Sequence, residues 1–387
     1  MIYLTFIIPV MTCLILFFRF RQKTVWWEYL VVFIPSVAAS FLTQFIMVRY
    51  NADDTEYLGS YTMAVQHYDE WTEWIHKTCY RTVKTGKTSM TIPYDCSYCK
   101  THPEYWVAIQ NTGKEERLTR ADYQKIVNLW GTPQQFIDMH RRYHTKDGDA
   151  QRHDWNGKRL HAITYTDEHS YENRTQASSS LYRFSTVTEE DVKQFGLANY
   201  PKSYHTDSFG ITREDHRPVL GAKVSEDVQR TFQFINGYYG KKHQFRIYVC
   251  LFPEGSASLA DKQRDLWKGG NKNELVLCIG TDKDMKRATW ASTFSWCDDT
   301  SMEVHLKQRI AESDTLDLMQ LASYVEDGLN RGLWHRKNFE DFKYIEVDMT
   351  ETQYVWFFII ILLLNIGLSV FVVKNDISND SYGFRYY

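Results

Sequence analysis

The sequence lacks the short motifs that identify common nucleotide-dependent and hydrolytic enzymes. It has no G-x-x-x-x-G-K-[ST] phosphate loop, no H-E-x-x-H zinc motif, no G-x-S-x-G nucleophile elbow and no kinase signature. An excess of basic residues is also missing, since 45 Lys and Arg against 48 Asp and Glu give a formal net charge of −3. Without a basic stripe, nucleic acid is not an expected partner. With 8 Pro and 19 Gly among 387 residues and many aromatics, the composition excludes disordered and collagen-like chains.

Long apolar runs are scarce and are confined to the two ends of the chain. Three blocks are apolar over about the length that crosses a hydrocarbon core of roughly 30 Å, namely Tyr3–Phe18, Trp27–Val48 and Val355–Val373. A cleaved signal peptide is a weaker interpretation of the first block, because its basic residues follow the apolar run instead of preceding it. We therefore predict three transmembrane helices and a membrane-anchored protein.

The charges beside these blocks predict their orientation. Arg19, Arg21 and Lys23 crowd the link between the first two blocks, whereas the third block follows an acidic segment. Because positively charged loops stay in the cytoplasm, we expect this link there. The body of residues 50–352 is then extracytoplasmic, on the periplasmic side in a bacterial cell.

The apolar blocks also predict the domain organisation. The predicted divisions are 1–49 with two transmembrane helices and a short basic cytoplasmic loop, 50–217 as a mixed α+β exterior domain, 218–340 as an α/β domain, 353–373 as the C-terminal transmembrane helix, and 374–387 as a short tail. Asn365 lies in the middle of the last block, where a polar side chain is costly unless a neighbouring helix bonds it. It is expected to pack against another span or another copy, which allows a homo-oligomer through the transmembrane helices.

The first half of the body has several local patterns. The polar, aromatic stretch 51–74 predicts a helix that leaves the membrane. Two β-rich arms around a Lys-Thr-Gly-Lys turn predict a hairpin over His76–Cys96. Thr119 and Gly131 bound a helix with i, i+3, i+4, i+7 apolar spacing, and a second helix is expected from Thr132.

The second half alternates helices with strands. Ser225 begins an amphipathic helix, and two continuous apolar runs, Phe245–Phe252 and Glu274–Ile279, predict buried strands that each carry one core thiol. A third strand is expected over Arg287–Trp296, followed by helices. This order predicts a sheet covered by helices, an α/β sandwich.

A local signature lies between these apolar runs. A helix ends in Leu266–Trp267, a polar glycine turn follows at 268–273, and after the second apolar run comes the acidic turn 281–284. In this order of elements the chain resembles the TPM domain, a family of membrane-associated extracytoplasmic proteins, over about 220–335. It departs from the family in Trp290–Trp296, where members usually have a glycine-rich segment. The resemblance implies a two-layer α/β fold and a role in the assembly or upkeep of membrane complexes, with phosphatase activity in some members.

Cysteines and histidines flank the predicted hairpin. His76 and Cys79 form an H-x2-C pair, and Cys96 and Cys99 form a C-x2-C pair, which together have the spacing of a zinc ribbon with His102 as a spare ligand. An oxidising exterior instead favours a disulfide from Cys79 to Cys96 or Cys99. The sequence alone does not decide whether a zinc ion or a disulfide cross-links the hairpin.

Two other groups are candidate cation sites. His140 and His144 are one turn apart in the second predicted helix, so that both imidazoles can face one metal ion that Asp149 completes. A polar helix end is the simpler interpretation. Asp282 and Asp284 stand where a strand ends and could bind Ca²⁺ or Mg²⁺ through their oxygens, although such a pair is more often a turn.

These observations favour a binding function over an enzymatic one, without deciding between them. We expect a membrane-anchored extracytoplasmic protein that acts in assembly or maintenance of membrane complexes, with the membrane and other envelope proteins as partners. No catalytic nucleophile with a base is evident, and no organic cofactor is indicated. The alternative is a metal-dependent hydrolase, phosphatase-like, of the periplasm.

Overall fold

The computed structural model describes residues 6–20, 24–86, 88–139, 147–178, 184–347 and 349–375. Contacts between these residues divide the chain into two compact units. The first unit takes residues up to Thr55, those of 170–183 and those from Asn338 onward, and the second takes 56–169 and 184–337. The domain boundary predicted at 217/218 lies within the second unit.

Helices occur in both units. The helices of the described ranges are, in chain order, α1 (Ile7–Phe20), α2 (Trp26–Ala52), α3 (Arg120–Trp130), α4 (Arg174–Ala177), α5 (Glu189–Phe195), α6 (Glu226–His243), α7 (Leu259–Leu266), α8 (Ser301–Glu312), α9 (Leu318–Asn330) and α10 (Glu351–Asn375). Single 3-10 turns lie at Arg159–His161 and Phe339–Phe342.

Strands follow the first long helix and recur through the second unit. The strands are β1 (Asp53–Tyr68), β2 (Trp71–Ile75), β3 (Thr78–Thr85), β4 (Thr88–Asp95), β5 (Tyr98–His102), β6 (Tyr105–Gln110), β7 (Glu115–Leu118), β8 (Gln135–Ile137), β9 (Ala150–Asp154), β10 (Thr164–Glu172), β11 (Tyr204–Thr206), β12 (Thr212–Asp215), β13 (Val219–Leu220), β14 (Arg246–Pro253), β15 (Glu274–Thr281) and β16 (Ala288–Ser295). The presence of both helices and strands confirms an α+β chain.

The apolar helices of the first unit correct the number of predicted spans. Among the described residues, two helices are long and apolar enough to cross a membrane, Trp26–Ala52 and Glu351–Lys374. The block predicted over Tyr3–Phe18 forms α1, whose 14 residues reach about 21 Å at 1.5 Å per residue. The prediction of three spans is therefore wrong for the described residues, because the first block forms too short a helix.

The two long helices contact each other through polar side chains. Ser36 Oγ donates to Asn365 Oδ1 at 3.1 Å, and both residues are fully buried. Near the other end of the pair, Asn51 Nδ2 donates to Gln353 Oε1 at 2.9 Å. Asn365 of one predicted apolar block thus packs against another apolar block of the same chain.

The sheet predicted for the second half is present. β13, β14 and β15 are parallel and β16 is antiparallel to β15, in the order β13-β14-β15-β16. One face of the sheet packs against α6, α8 and α9, through a core that includes Phe232, Val249 and Val325. The other face packs against α7 through Cys278 and Leu259. Helices thus cover both faces, one layer more than the TPM resemblance implies.

A second sheet overturns the helix expected over 51–74. α2 ends at Ala52 and the chain continues directly into β1, which pairs with β6 on one side and β9 on the other. The consecutive residues Ala64 and Val65 point to opposite faces of the sheet and are both fully buried, so the polar-to-apolar alternation that marks an exposed strand is lost. At Gly59 a Cβ atom would lie 2.2 Å from the Asn236 carbonyl oxygen on α6, so β1 packs tightly against that helix.

The helix predictions around residue 130 have different outcomes. α3 is confirmed, because Thr119 Oγ1 accepts from the Asp122 amide and Gly131 ends the helix in the left-handed conformation at φ 60°. The helix expected from Thr132 is wrong, since Gln135–Ile137 is a strand that pairs with β9. This segment is therefore an edge strand of that sheet instead of a helix.

Candidate interaction surface

The segment 71–102 forms two consecutive two-stranded sheets, and we call it the ribbon. β2 pairs with β5, from Trp71 opposite His102 to Ile75 opposite Tyr98. β3 and β4 then form the predicted hairpin, in which Gly86 adopts a φ of 66° that favours glycine. The arms of eight residues each reach about 26 Å at 3.3 Å per residue.

A disulfide ties the hairpin at its base. Cys79 and Cys96 are bonded, with Cα atoms 5.8 Å apart and a sequence separation of 17. The Cys96 amide also donates to the Lys77 carbonyl at 2.9 Å. Of the two alternatives from sequence, the structure thus has the disulfide, with Cys96 as the partner. Among the described residues no three His, Cys, Asp or Glu side chains come together as a metal-binding group. Zinc bound by His76, Cys79, Cys96 and Cys99 stays a prediction, and it would require the Cys79–Cys96 bond to be reduced.

The hairpin exposes apolar side chains on one face. Cross-strand pairing places Val83 opposite Met90 and Cys79 opposite Tyr94, so these residues point to the same side as the disulfide. Met90 is 64% exposed and Tyr94 is 51% exposed. An apolar face that is left in water marks an interaction surface.

Further aromatic rings are exposed along the rest of the ribbon. Tyr80 is 71% exposed and Trp74 is 54% exposed, and Tyr98 is also exposed. Cys99 lies opposite Trp74 and is an exposed free thiol. Tyr, Trp and Met are the residue types enriched at the energetic centres of protein interfaces.

The ribbon also carries basic residues, two on β3 and one on β5. Arg81, Lys84 and Lys100 are exposed on the ribbon. Its two acidic residues bond locally: Glu73 Oε2 is 3.0 Å from His102 Nε2, and Asp95 Oδ1 accepts from the Ser97 amide and hydroxyl. The ribbon therefore presents cationic and aromatic groups to solvent.

A buried polar cluster in the second unit was missed by sequence reasoning. His216 joins Tyr248 Oη through Nδ1 at 2.8 Å and Ser203 Oγ through Nε2 at 3.2 Å. Tyr248 Oη also accepts from Arg246 Nε at 2.7 Å. Burial, then the Arg246 charge, lowers the pKa of His216 to about 3, so its imidazole is a weak base for activating Ser203 at neutral pH. Ser203 and His216 lie between α5 and β13, whereas Arg246 and Tyr248 lie on β14, so the sequence has no motif that joins them.

The strand ends beside this cluster bury further charge. Glu274 is fully buried, accepts from Tyr200 Oη and accepts from the Asn271 amide at 2.9 Å. Burial raises the pKa of Glu274. Arg246 Nη2 donates to Thr166 Oγ1 at 2.9 Å. These bonds join β14 and β15 to neighbouring segments, which is the role of a polar core.

An open cleft of about 300 Å³ lies between the turn before β7, the start of α3, β10 and β12. Its charged side chains pair with each other or with neighbours. Lys114 Nζ is 2.5 Å from Asp167 Oδ1, and Arg213 Nε is 3.3 Å from Asp207 Oδ2. Arg213 also donates to the Thr164 carbonyl at 2.7 Å. Since these pairs satisfy one another, the cleft offers a ligand few uncommitted charges.

The predicted aspartate pair forms a turn. Asp282 Oδ1 accepts from the Lys286 amide at 2.7 Å, and Asp284 Oδ2 is 3.8 Å from Lys286 Nζ. The two carboxylates follow β15 at its carboxyl end, as expected. Calcium or magnesium binding by Asp282 and Asp284 stays a prediction.

The predicted histidine group is only partly described. His140 and His144 lie outside the described residues. Asp149 Oδ1 accepts from the Met139 amide at 3.0 Å. A zinc site at these residues stays a prediction.

The two cysteines of the central strands occupy the core, as predicted. Cys250 and Cys278 are fully buried and lie opposite each other on parallel neighbours β14 and β15. A hydrogen bond with Cys278, together with burial, raises the pKa of Cys250. A thiol of raised pKa inside the core is a poor nucleophile.

Comparison with known proteins gives no relative. No protein-family model, curated protein or solved structure matches this chain.

Proposed function

We propose that this chain is a membrane-anchored extracytoplasmic protein that acts in the assembly or maintenance of membrane complexes by binding other proteins. α2 and α10 are the proposed anchors, and the second unit, with its TPM-like 220–335 segment, is the proposed periplasmic body. The order of helices and strands in that segment supports the resemblance. The basic residues at the end of α1 and beyond it support the cytoplasmic placement of the first link.

The ribbon is the observation that carries this proposal. It holds Tyr80, Met90 and Tyr94 in water instead of in a core, and a disulfide keeps its base closed. Burial of such side chains by a partner lowers the free energy, and tyrosine is buried at a small cost in conformational entropy. A rigid, exposed ribbon fits binding better than it fits turnover of a substrate.

Site-specific photocrosslinking in the native membrane tests the proposal. The Tyr80→p-benzoylphenylalanine variant should form discrete crosslinks to specific proteins on irradiation. Val304→p-benzoylphenylalanine is the control, because Val304 is also exposed, at 53%, but lies on α8 away from the ribbon. Equal crosslinking patterns from the two positions, or no crosslinks from Tyr80, would contradict binding through the ribbon.

The second candidate function is a metal-dependent, phosphatase-like hydrolase. It is favoured by the position of Asp282 and Asp284 at the carboxyl end of a parallel strand, where open α/β sheets bind ligands. Metal analysis of the purified protein and a screen with phosphate esters separate the two functions. Turnover that disappears in the Asp282→Ala/Asp284→Ala variant would replace the binding proposal with this one.

A further inference from the structure

We propose that the ribbon also binds the surface of the membrane, by contact of its basic and aromatic side chains with anionic lipid headgroups. The inference rests on the proposed function in one respect, which is that the chain is anchored and its body lies beside a bilayer. It names a second partner for the ribbon, a lipid surface, in addition to proteins.

The charge of the ribbon is the first argument. The segment 71–102 differs in charge balance from the chain as a whole, because it has five basic residues and two acidic ones. These residues are Lys77, Arg81, Lys84, Lys87 and Lys100 against Glu73 and Asp95. The rest of the chain has 40 basic and 46 acidic residues, so this segment carries a positive excess that the chain as a whole lacks. A local excess of this size is attracted to an anionic surface.

The second argument is that both carboxylates of the ribbon already have local bonding partners. Glu73 lies 3.0 Å from His102 Nε2, and Asp95 accepts from the Ser97 amide at 2.8 Å. Both acids are used at the base of the ribbon, whereas Arg81 and Lys84 lie exposed along the hairpin. Beyond its base, the hairpin of β3 and β4 therefore presents basic side chains with no acidic side chain between them.

The aromatic side chains are the third argument. Trp74, Tyr80, Tyr94 and Tyr98 are all exposed, and each combines an apolar ring with a polar N–H or O–H group. Tryptophan and tyrosine are the side chains that concentrate at membrane–water interfaces, and Lys and Arg extend to the headgroups from the same depth. Aromatic and basic residues on one ribbon match both properties of a headgroup layer.

The same charge disfavours the other occupant that the structure offers, a second copy of the ribbon. Two ribbons that packed their hairpin faces together would bring Arg81 of each copy close to the other, with no uncommitted carboxylate to separate them. Like charges in contact oppose such pairing. An anionic surface has no such penalty.

Fluorescence from the ribbon in nanodiscs tests the inference. The full-length protein is reconstituted into discs of phosphatidylcholine alone or of phosphatidylcholine with phosphatidylglycerol, and Cys99 is labelled with a hydrophilic, environment-sensitive maleimide. Cys99 is the suitable site because it is exposed, whereas Cys250 and Cys278 are buried, and the half-buried Cys13 and Cys297 are replaced by serine. Quenching by headgroup-labelled lipid then reports contact between ribbon and bilayer.

We expect quenching in the anionic discs, which should be lost at high salt and weak in phosphatidylcholine alone. Arg81→Glu/Lys84→Glu should lower the equilibrium constant for contact about tenfold or more. The matched control is Lys223→Glu/Lys283→Glu, which changes net charge equally at exposed positions outside the ribbon and should leave quenching unchanged.

Equal quenching in both lipids, or equal loss in both double variants, would overturn the inference. Absence of lipid contact together with specific crosslinks from Tyr80 would mean that the ribbon binds protein only, and the proposed function would stand. Failure of the chain to insert into discs at all would instead contradict the membrane anchoring in the proposed function.

Discussion

Ser36 and Asn365 are 329 residues apart in sequence, yet Ser36 Oγ lies 3.1 Å from Asn365 Oδ1 between two apolar helices. The single hydroxyl hydrogen of Ser36 is shared between Asn365 Oδ1 and the Val32 carbonyl of its own helix, and Asn365 Nδ2 donates to the Ile361 carbonyl. The two ends of the chain are thus joined by one buried polar contact. In an apolar setting such a contact fixes which helix faces meet.

Asn365→Leu should loosen this helix pair. The loss removes an interhelical hydrogen bond worth about 0.6 kcal/mol, up to about 1.7 kcal/mol, and leaves the rest of α10 intact. Ser369→Ala is the control, because Ser369 Oγ donates to the Asn365 carbonyl within the same helix. Thermal unfolding of the purified protein in detergent measures both variants, and a larger loss from Ser369→Ala would contradict the importance of the Ser36 contact.

Reduction of the Cys79–Cys96 disulfide should loosen the ribbon and leave the sheets of the body unchanged. Closing a loop with a sequence separation of 17 stabilises by about 3 kcal/mol in the chain-entropy treatment, and an isolated two-stranded ribbon is marginal without it. Hydrogen exchange should therefore accelerate over 71–102 after reductant but not after a chelator. Cys99→Ser is the control and should behave like the unaltered protein. If Cys79 and Cys96 alkylate without reductant, the disulfide is absent.

Acid should destabilise the second unit partly through His216. Its pKa is lowered by burial and Arg246 to about 3 in the folded protein, from about 6.5 when unfolded. The unfolded state then binds the proton first, so this contribution to stability is complete above pH 6.5 and is lost as pH falls from 6.5 towards 3. At about 1.4 kcal/mol per pKa unit the effect is a few kcal/mol.

The His216→Gln variant isolates this effect from other titrating groups. Its free energy of unfolding should fall less steeply than that of the unaltered protein between pH 6.5 and 3, whatever its absolute value. Denaturant unfolding at several pH values gives the comparison. Parallel curves for the two proteins would show that His216 does not carry the pH dependence.

Gly59→Ala should disrupt the packing of β1 on α6. The added Cβ would lie 2.2 Å from the Asn236 carbonyl oxygen, a backbone atom that cannot move aside easily. Overpacking of this kind costs about 3 kcal/mol. Gly367→Ala is the control, because a Cβ there meets no atom within 4 Å. Equal unfolding temperatures for the two variants would contradict the close approach.

The sequence predicted well those elements whose signals are local. Thr119 and Gly131 bounded a helix because a capping hydroxyl and a left-handed glycine act within one turn, and the runs around Val249 and Leu277 are apolar because both sheet faces are covered. The hairpin followed from its β-branched arms around Gly86. In each case neighbouring residues determine the structure.

The predictions that failed depended on distant partners. β1 gave no alternating strand pattern, because residues on both of its faces, such as Ala64 and Val65, are buried by segments distant in sequence. The segment from Thr132 was expected to be helical, yet its residues 135–137 pair with β9. The cluster around His216 joins Ser203 with Tyr248 on β14, and no local spacing shows that contact.

Labelling of Cys99 in intact cells tests the central claim most directly, which is that an exposed ribbon is displayed outside the membrane. Cys99 is an exposed thiol on that ribbon, whereas the free thiols Cys13 and Cys297 are half-buried. In a Cys13→Ser/Cys297→Ser background, a membrane-impermeant maleimide should label Cys99 in intact cells, and Cys99→Ser should abolish that labelling. Labelling that requires disruption of the membrane would place the ribbon on the cytoplasmic side and contradict the account.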